Sequence, residues 1–430
     1  MNQAAARSRG ALVLRHRDFR RLWGGGSVSE IGSQVSLLAI PLVAVRALHA
    51  TTFQVGLLAA SSTLAFVLVG LPAGAIIDRV RRRRAMIAAD LGRMAAFGSV
   101  PVVYALGHLG LPQLYCVTFV AGVLTVVFDV GYQSYLPSLV GLDHVVAGNA
   151  ELTASSQVAQ VVGPSLAGAL VQAIGGPYAV VVDAMSFLWS GVAIGTIRAA
   201  ERPPAPREVP LVADLLEGLR LVFAHPVLRA LAATTATANL FGAITTAVEV
   251  PFLVRSVHAS PGAIGLLFAA VGVGGLLGAA AASRTAEQLG GARAARAGIY
   301  LGAGGLLVPL TGPGLGLFLF ATGYSICAFG TVVYNVNQVS FRQRLCPEHL
   351  LGRMNATMRF ASWGVLPLGA VIGGGIASAV GLRAVLWLAA GGRVSAAVWL
   401  LASPVRSMRH FPDVSGVARS GLSRPNAARG

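Results

Sequence analysis

Eight ionisable side chains stand inside stretches otherwise apolar enough to exclude water: Glu30, Asp90, Arg93, Asp129, Asp183, Glu249, Arg359 and Arg393. A charge in lipid costs at least ~2.5 to 3.5 kcal/mol on insertion scales, so each needs a partner, a water-filled cavity or a function. The chemistry open to an isolated carboxylate there is proton carriage: it loads and releases a proton as water reaches it from one side or the other. Asp90 and Arg93 lie three residues apart on one helix face and read as an intrahelical ion pair. Asp183 falls near the end of its stretch, where water can hydrate it, and Arg393 has no evident partner. Glu30, Asp129 and Glu249 remain as candidates for proton coupling.

Chemistry of other kinds finds little support. The eight His are scattered, Cys116, Cys327 and Cys346 have no paired spacing, and no His/Cys/carboxylate pattern suits a metal. No cofactor, metal or catalytic residue is expected, which leaves a membrane-embedded lipid-modifying enzyme as a poor alternative.

The elements that must position these groups are membrane helices. The 430 residues are 55% hydrophobic and 11% charged, where a soluble chain carries about 25% charged residues, and the mean hydropathy is +0.70. Apolar stretches predict twelve spans, at 20–46, 53–77, 84–107, 113–139, 150–174, 178–199, 227–254, 262–283, 294–311, 315–340, 356–379 and 382–403. The net charge of +17 would suggest nucleic acid in a soluble protein. Its placement argues otherwise. All basic residues are Arg, and threading twelve spans puts nearly all of them on the side of the termini, with Arg46, Arg255 and Arg383 on the other. That is the positive-inside pattern, and it predicts a multi-pass cell-membrane protein with both termini cytoplasmic, in contact with lipid and not nucleic acid.

The chain also repeats itself. A shift of 206 residues pairs Thr125 with Thr331, Asn149 with Asn355, Gly163 with Gly369 and Gly168 with Gly374, and a slightly larger one aligns Val55–Leu58 with Ile264–Leu267. The expected organisation is a basic tail (1–18), a six-helix bundle (19–200), a linker with an amphipathic helix (201–226), a second bundle (227–404) and a tail (405–430). The same shift sets Thr118, Thr125, Asp129 and Tyr132 on one stripe, opposite Tyr324, Thr331, Asn335 and Gln338. Two related polar faces imply a shared central cavity, to which Gln34 and Asn239 are added from the first and seventh helices. Asp129 becomes the leading proton site because its repeat partner, Asn335, is neutral.

Across the end of the second span, Gly74, Asp78, Arg79, Arg82 and Arg83 form the pattern Gly, three residues, Asp-Arg, then basic residues. With the two halves, this resembles the major facilitator superfamily, within the group of siderophore and macrolide exporters. Arg81 stands where many members have Gly. The resemblance implies an all-α fold of two pseudo-symmetric six-helix bundles that rock around a midplane site. It implies a gate in which Asp78 approaches the start of the eleventh helix near Arg359. Gly163-Pro164-Ser165-Leu166-Ala167-Gly168 resembles, with Ala167 and Ala159 as departures, the fifth-helix motif of proton-coupled exporters. The function so implied is export of amphipathic small molecules by proton antiport, by a monomer. Uptake by proton symport is the alternative.

Overall fold

The computed structural model describes residues 16–77, 80–141, 144–199, 219–346 and 351–409. Within them the chain forms twelve helices: α1 (Arg17–Leu42, extended by a π turn, Val43–Ala47), α2 (Thr52–Ile77), α3 (Arg82–Ala105), α4 (Leu111–Val140), α5 (Val145–Ile174) and α6 (Gly176–Gly195), then α7 (Pro226–Arg255), α8 (Pro261–Leu289), α9 (Gly291–Tyr300 and Leu301–Leu310), α10 (Leu317–Leu345), α11 (Leu351–Trp363 and Leu366–Val380) and α12 (Leu382–Ser395 and Ala397–Leu401). Eleven are long and apolar enough to cross a membrane. The exception is α9, which departs from the expected uniform helix: Leu301–Leu310 winds as a 3-10 helix. Gly302, Gly304, Gly305 and Pro309 favour the α-helix poorly, and close crossing with α10, Gly304 on the Gly323 carbonyl, supplies packing instead. Helices α5 and α11 begin five residues earlier than expected, at Val145 and Leu351. Most of the expected linker, residues 200–218, lies outside the described residues, and 219–224 are helical.

Packing follows the repeat. Within the first six helices α1 packs on α5 and α6, α2 on α4, and α3 on α4 and α6; the last six repeat this as α7 on α11 and α12, α8 on α10, and α9 on α10 and α12. The halves meet through α2 with α11 and α5 with α8, which the same symmetry exchanges. Even the short connections repeat. After α1, Leu48 and Ala50 donate to the carbonyls of Val43 and Ala44, and after α7, Val257 and Ala259 donate to those of Phe252 and Leu253. His49 and His258, inside these turns, are the two non-glycine residues with positive φ among those described.

Gly175 and Gly381, 206 residues apart, join α5 to α6 and α11 to α12 with φ/ψ of 84/155° and 90/158°. That region is essentially closed to residues with a Cβ, at a cost of roughly 1–3 kcal/mol. Neither would meet a neighbour if enlarged. Gly381→Ala should therefore destabilise the purified protein by backbone strain alone, read as a lowered melting temperature, while Gly391→Ala, on α12 with open space around it, should not.

Candidate functional site: a cavity between two bundles

The bundles touch at the end of the molecule opposite the start of α1 and the end of α12; these ends are called the far end and the terminal end. Gly168 of α5 lies against the Pro261 carbonyl and Gly265 of α8, and Gly56 of α2 against the Ala370 carbonyl and Gly374 of α11. A Cβ at Gly168, Gly265 or Gly56 would run into backbone and one at Gly374 would press on it at 3.0 Å, so the helices approach closely. Polar bonds close the same end: Gly262 N–H donates to Gln172 Oε1 at 3.0 Å, and Arg255 donates to the Ala50 carbonyl and, at 3.3 Å, to Thr52 Oγ1. The contact of α5 with α8 continues to Gln160 and Gly272, midway along α5. Towards the terminal end a groove of about 600 Å³ opens, lined by Asn149, Ala150, Thr153, Gln157 and Val158 of α5 with Leu276 of α8, and Val146 at its lip is 79% exposed.

This arrangement gives the fifth-helix motif a structural content. Gly163 accommodates the Gln34 side chain of α1, Pro164 presents its carbonyl to Gly265, and Gly168 makes the cross-bundle contact. In the other half Gly369 receives the Leu240 carbonyl of α7 and Gly374 faces Gly56. The glycine pairs found by the 206-residue shift thus make equivalent contacts.

Asp129 is exposed and makes no hydrogen bond or ion pair among the described residues. The charges acting on it are Arg93 of α3, Glu30 of α1 and, from the opposite half, Arg359 of α11. It sits eleven residues from the terminal end of α4, hence ~16 Å deep at 1.5 Å per residue. Glu30 is half-buried and accepts from Ser156 Oγ at 3.2 Å. Arg359 is exposed, its guanidinium 4.6 Å from the ring centre of Trp363.

Glu249 is placed differently. It is buried, six residues from the far end of α7, and accepts from Tyr324 Oη at 2.8 Å. Asp183 contradicts the expectation of hydration: it is 0% exposed, bonded to Ser186 Oγ at 3.3 Å and packed on Gly32. The expected Asp90–Arg93 pair is present at 2.5 Å, with Arg93 lying between the rings of Phe128 and Phe187 at 4.4 and 4.3 Å.

Among the cavity candidates, Thr125 accepts from Arg93 at 3.4 Å, and Tyr132 stacks on Phe128 with its hydroxyl near Gly26. Asn239 donates to the Ser362 carbonyl at 2.7 Å, joining α7 to α11. Thr331 accepts from Arg393 at 2.6 Å, and Asn335 is exposed. Gln338 departs from the expected lining: it is 4% exposed with its carbonyl oxygen unpaired, turned into protein. Periodicity identifies a polar face but not whether water or another helix covers it.

Of the expected gate, Asp78 and Arg79 lie outside the described residues and Gly74 falls within α2. Arg82 donates to the Ser134 carbonyl of α4 at 3.1 Å, and Arg83 to the Ile194 and Gly195 carbonyls at the C-terminus of α6, a favourable place for a cation. Both tie the first bundle together, a role their positions in sequence did not reveal. Sequence reading also missed Ser156, Tyr324 as the partner of Glu249, and Thr331 as the partner of Arg393.

The sequence profile of the transmembrane secretion effector family matches residues 10–418. The chain belongs to this family. It is 28% identical over 370 residues to the multidrug efflux pump Tap of Mycolicibacterium fortuitum, covering 82% of this chain and 87% of that one. Against the enterobactin exporter EntS of Salmonella choleraesuis it is 26% identical, covering 80% and 82%. The fold matches a bacterial homologue of the iron transporter ferroportin in its inward-facing state, with a TM-score of 0.73 at 15% identity, covering 91% of this chain and 99% of that one. The nucleoside transporter NupG matches with a TM-score of 0.72 at 12% identity and the same coverage. This secretion effector chain is a membrane transporter with the major facilitator fold.

Proposed function

We propose that the protein exports amphipathic small molecules from the cytoplasm in exchange for protons. The terminal end is the cytoplasmic end, so the conformation described is inward-open, with the far-end glycine contacts as the closed outer gate. The observation that carries the reading is Asp129: an unpaired carboxylate deep in the cavity, reached by water from the open end, at the level where alternating access exchanges the two sides. Proton arrival from outside and substrate arrival from inside then compete for one charge balance among Asp129, Glu30, Arg93 and Arg359. Export is favoured over uptake because Tap is an efflux pump and EntS an exporter, and the Gly163-Pro164-Gly168 segment lies where the halves must separate.

The test is uptake of a panel of macrolides, siderophores and dyes into inverted membrane vesicles, with and without a proton gradient. Accumulation that requires an acidic lumen supports export by antiport. Accumulation only in right-side-out vesicles would reverse the direction.

A further inference from the structure

The two halves contain a built-in comparison. Thr125 and Thr331, 206 residues apart, each accept from a buried-side arginine, Arg93 from α3 and Arg393 from α12. Arg93 is neutralised by Asp90, covered by two aromatic faces and 3% exposed. Arg393 forms no ion pair among the described residues, although it sits eleven residues from the far end of its helix, ~16 Å into the membrane. Beside it is a cavity of about 30 Å³ lined by Thr235, Asn239, Thr331, Tyr334, Asn335 and Arg393. None of these is an acid, so the cavity holds an uncompensated positive charge, a costly arrangement at that depth.

We infer that Arg393 and Asn335 form a subsite for the carboxylate of an amphipathic substrate. One nitrogen of the guanidinium is held by Thr331, whose own hydroxyl proton goes to the Cys327 carbonyl at 2.7 Å, and the guanidinium also bonds the Cys327 side chain, so the fork is fixed with N–H groups left over for a ligand. Asn335 is exposed and uncommitted, and supplies an amide N–H beside it. Asn239 and Tyr334 are already engaged, with Ser362 and Thr235, and serve as walls. Gly298 packs on the Gly330 carbonyl of α10, and Gly302 lies against the stem of Arg393. At about 10–15 Å³ per water the cavity has room for roughly two to three waters, so it admits the anionic head while the apolar body lies in the main cavity. The acid missing beside Arg393 is thus brought by the ligand.

The inference rests on the central cavity being the substrate site, and it is tested by binding alone, without a gradient, so failure of proton-driven export leaves its outcome separate. The purified full chain is titrated with 2-naphthoate and with its neutral isostere 2-naphthamide, following tryptophan fluorescence. Wild type should bind the carboxylate about tenfold tighter than the amide or more. Arg393→Gln should bring the two affinities together with amide binding unchanged, and Arg393→Lys should keep part of the preference. Equal affinities in wild type, no naphthoate binding at millimolar concentration, or a preference that survives in Arg393→Gln would overturn the assignment. If Arg393→Gln folds poorly, Arg393→Lys carries the same comparison, and equal affinities in wild type overturn the assignment on their own.

Discussion

Asp129→Asn should abolish gradient-driven accumulation in inverted vesicles while leaving substrate binding and gradient-free exchange intact. Asn is nearly isosteric with Asp and cannot carry a proton. Asp129 makes no hydrogen bond that the change would break, so folding should be unaffected. Asn is also what the second half already holds at the equivalent position, Asn335. The variant removes coupling from a cycle whose two packings otherwise persist. Glu30→Gln should be milder, because Ser156 can still donate to an amide oxygen. Glu249→Gln should act through the Tyr324 bond near the far end and not through access from the open end. Undiminished proton-driven transport by Asp129→Asn would move coupling to one of these two.

Gly168→Ala should shift the population away from the conformation described. The added methyl would stand 2.5 Å from the Pro261 carbonyl and 2.9 Å from Gly265 Cα, and backbone on both sides cannot yield as a side chain can. Overpacking of this kind costs about 1–3 kcal/mol, roughly a 5- to 150-fold change in a two-state equilibrium. The far end should separate and the terminal end close. Spin labels at Val146 on α5 and Glu287 on α8, both exposed at the terminal end, should report a shorter distance. Gly56→Ala should do the same through α2 and α11, where its methyl would stand 2.6 Å from the Ala370 carbonyl, and Gly70→Ala, with open space around it, should do nothing. An unchanged distance distribution in both interface variants would mean that these glycines only pack the bundle.

The repeat carried most of what the sequence revealed. Pairs such as Gly163 with Gly369 and Gly168 with Gly374 recur because each half solves the same packing problem, one glycine against its own bundle and one against the other. Helix positions were legible for the same reason that composition was: a bilayer admits few alternatives to apolar helices. What stayed hidden depends on how helices are rotated against each other. Asp183 sits near the end of its span and Gln338 on a face that looked suited to water, yet Ser186 and Gly32 enclose the first and protein covers the second. Arg393 had no visible partner because Thr331 lies 62 residues away on a helix brought beside it only by the fold. The 3-10 segment of α9 was marked by its glycines and Pro309, but only the close crossing with α10 explains why that geometry is tolerated.

Antiport itself is tested most directly by the direction of proton movement in a system with no imposed proton gradient. Proteoliposomes are loaded with pyranine and with a permanently charged probe that wild type accumulates, then diluted into probe-free buffer at equal pH. Probe leaving by antiport must draw protons inward, so the lumen should acidify, and Asp129→Asn should remove that signal while probe still exchanges. A lumen that turns alkaline, meaning protons leave with the probe, or that keeps its pH while the probe departs, would contradict the account.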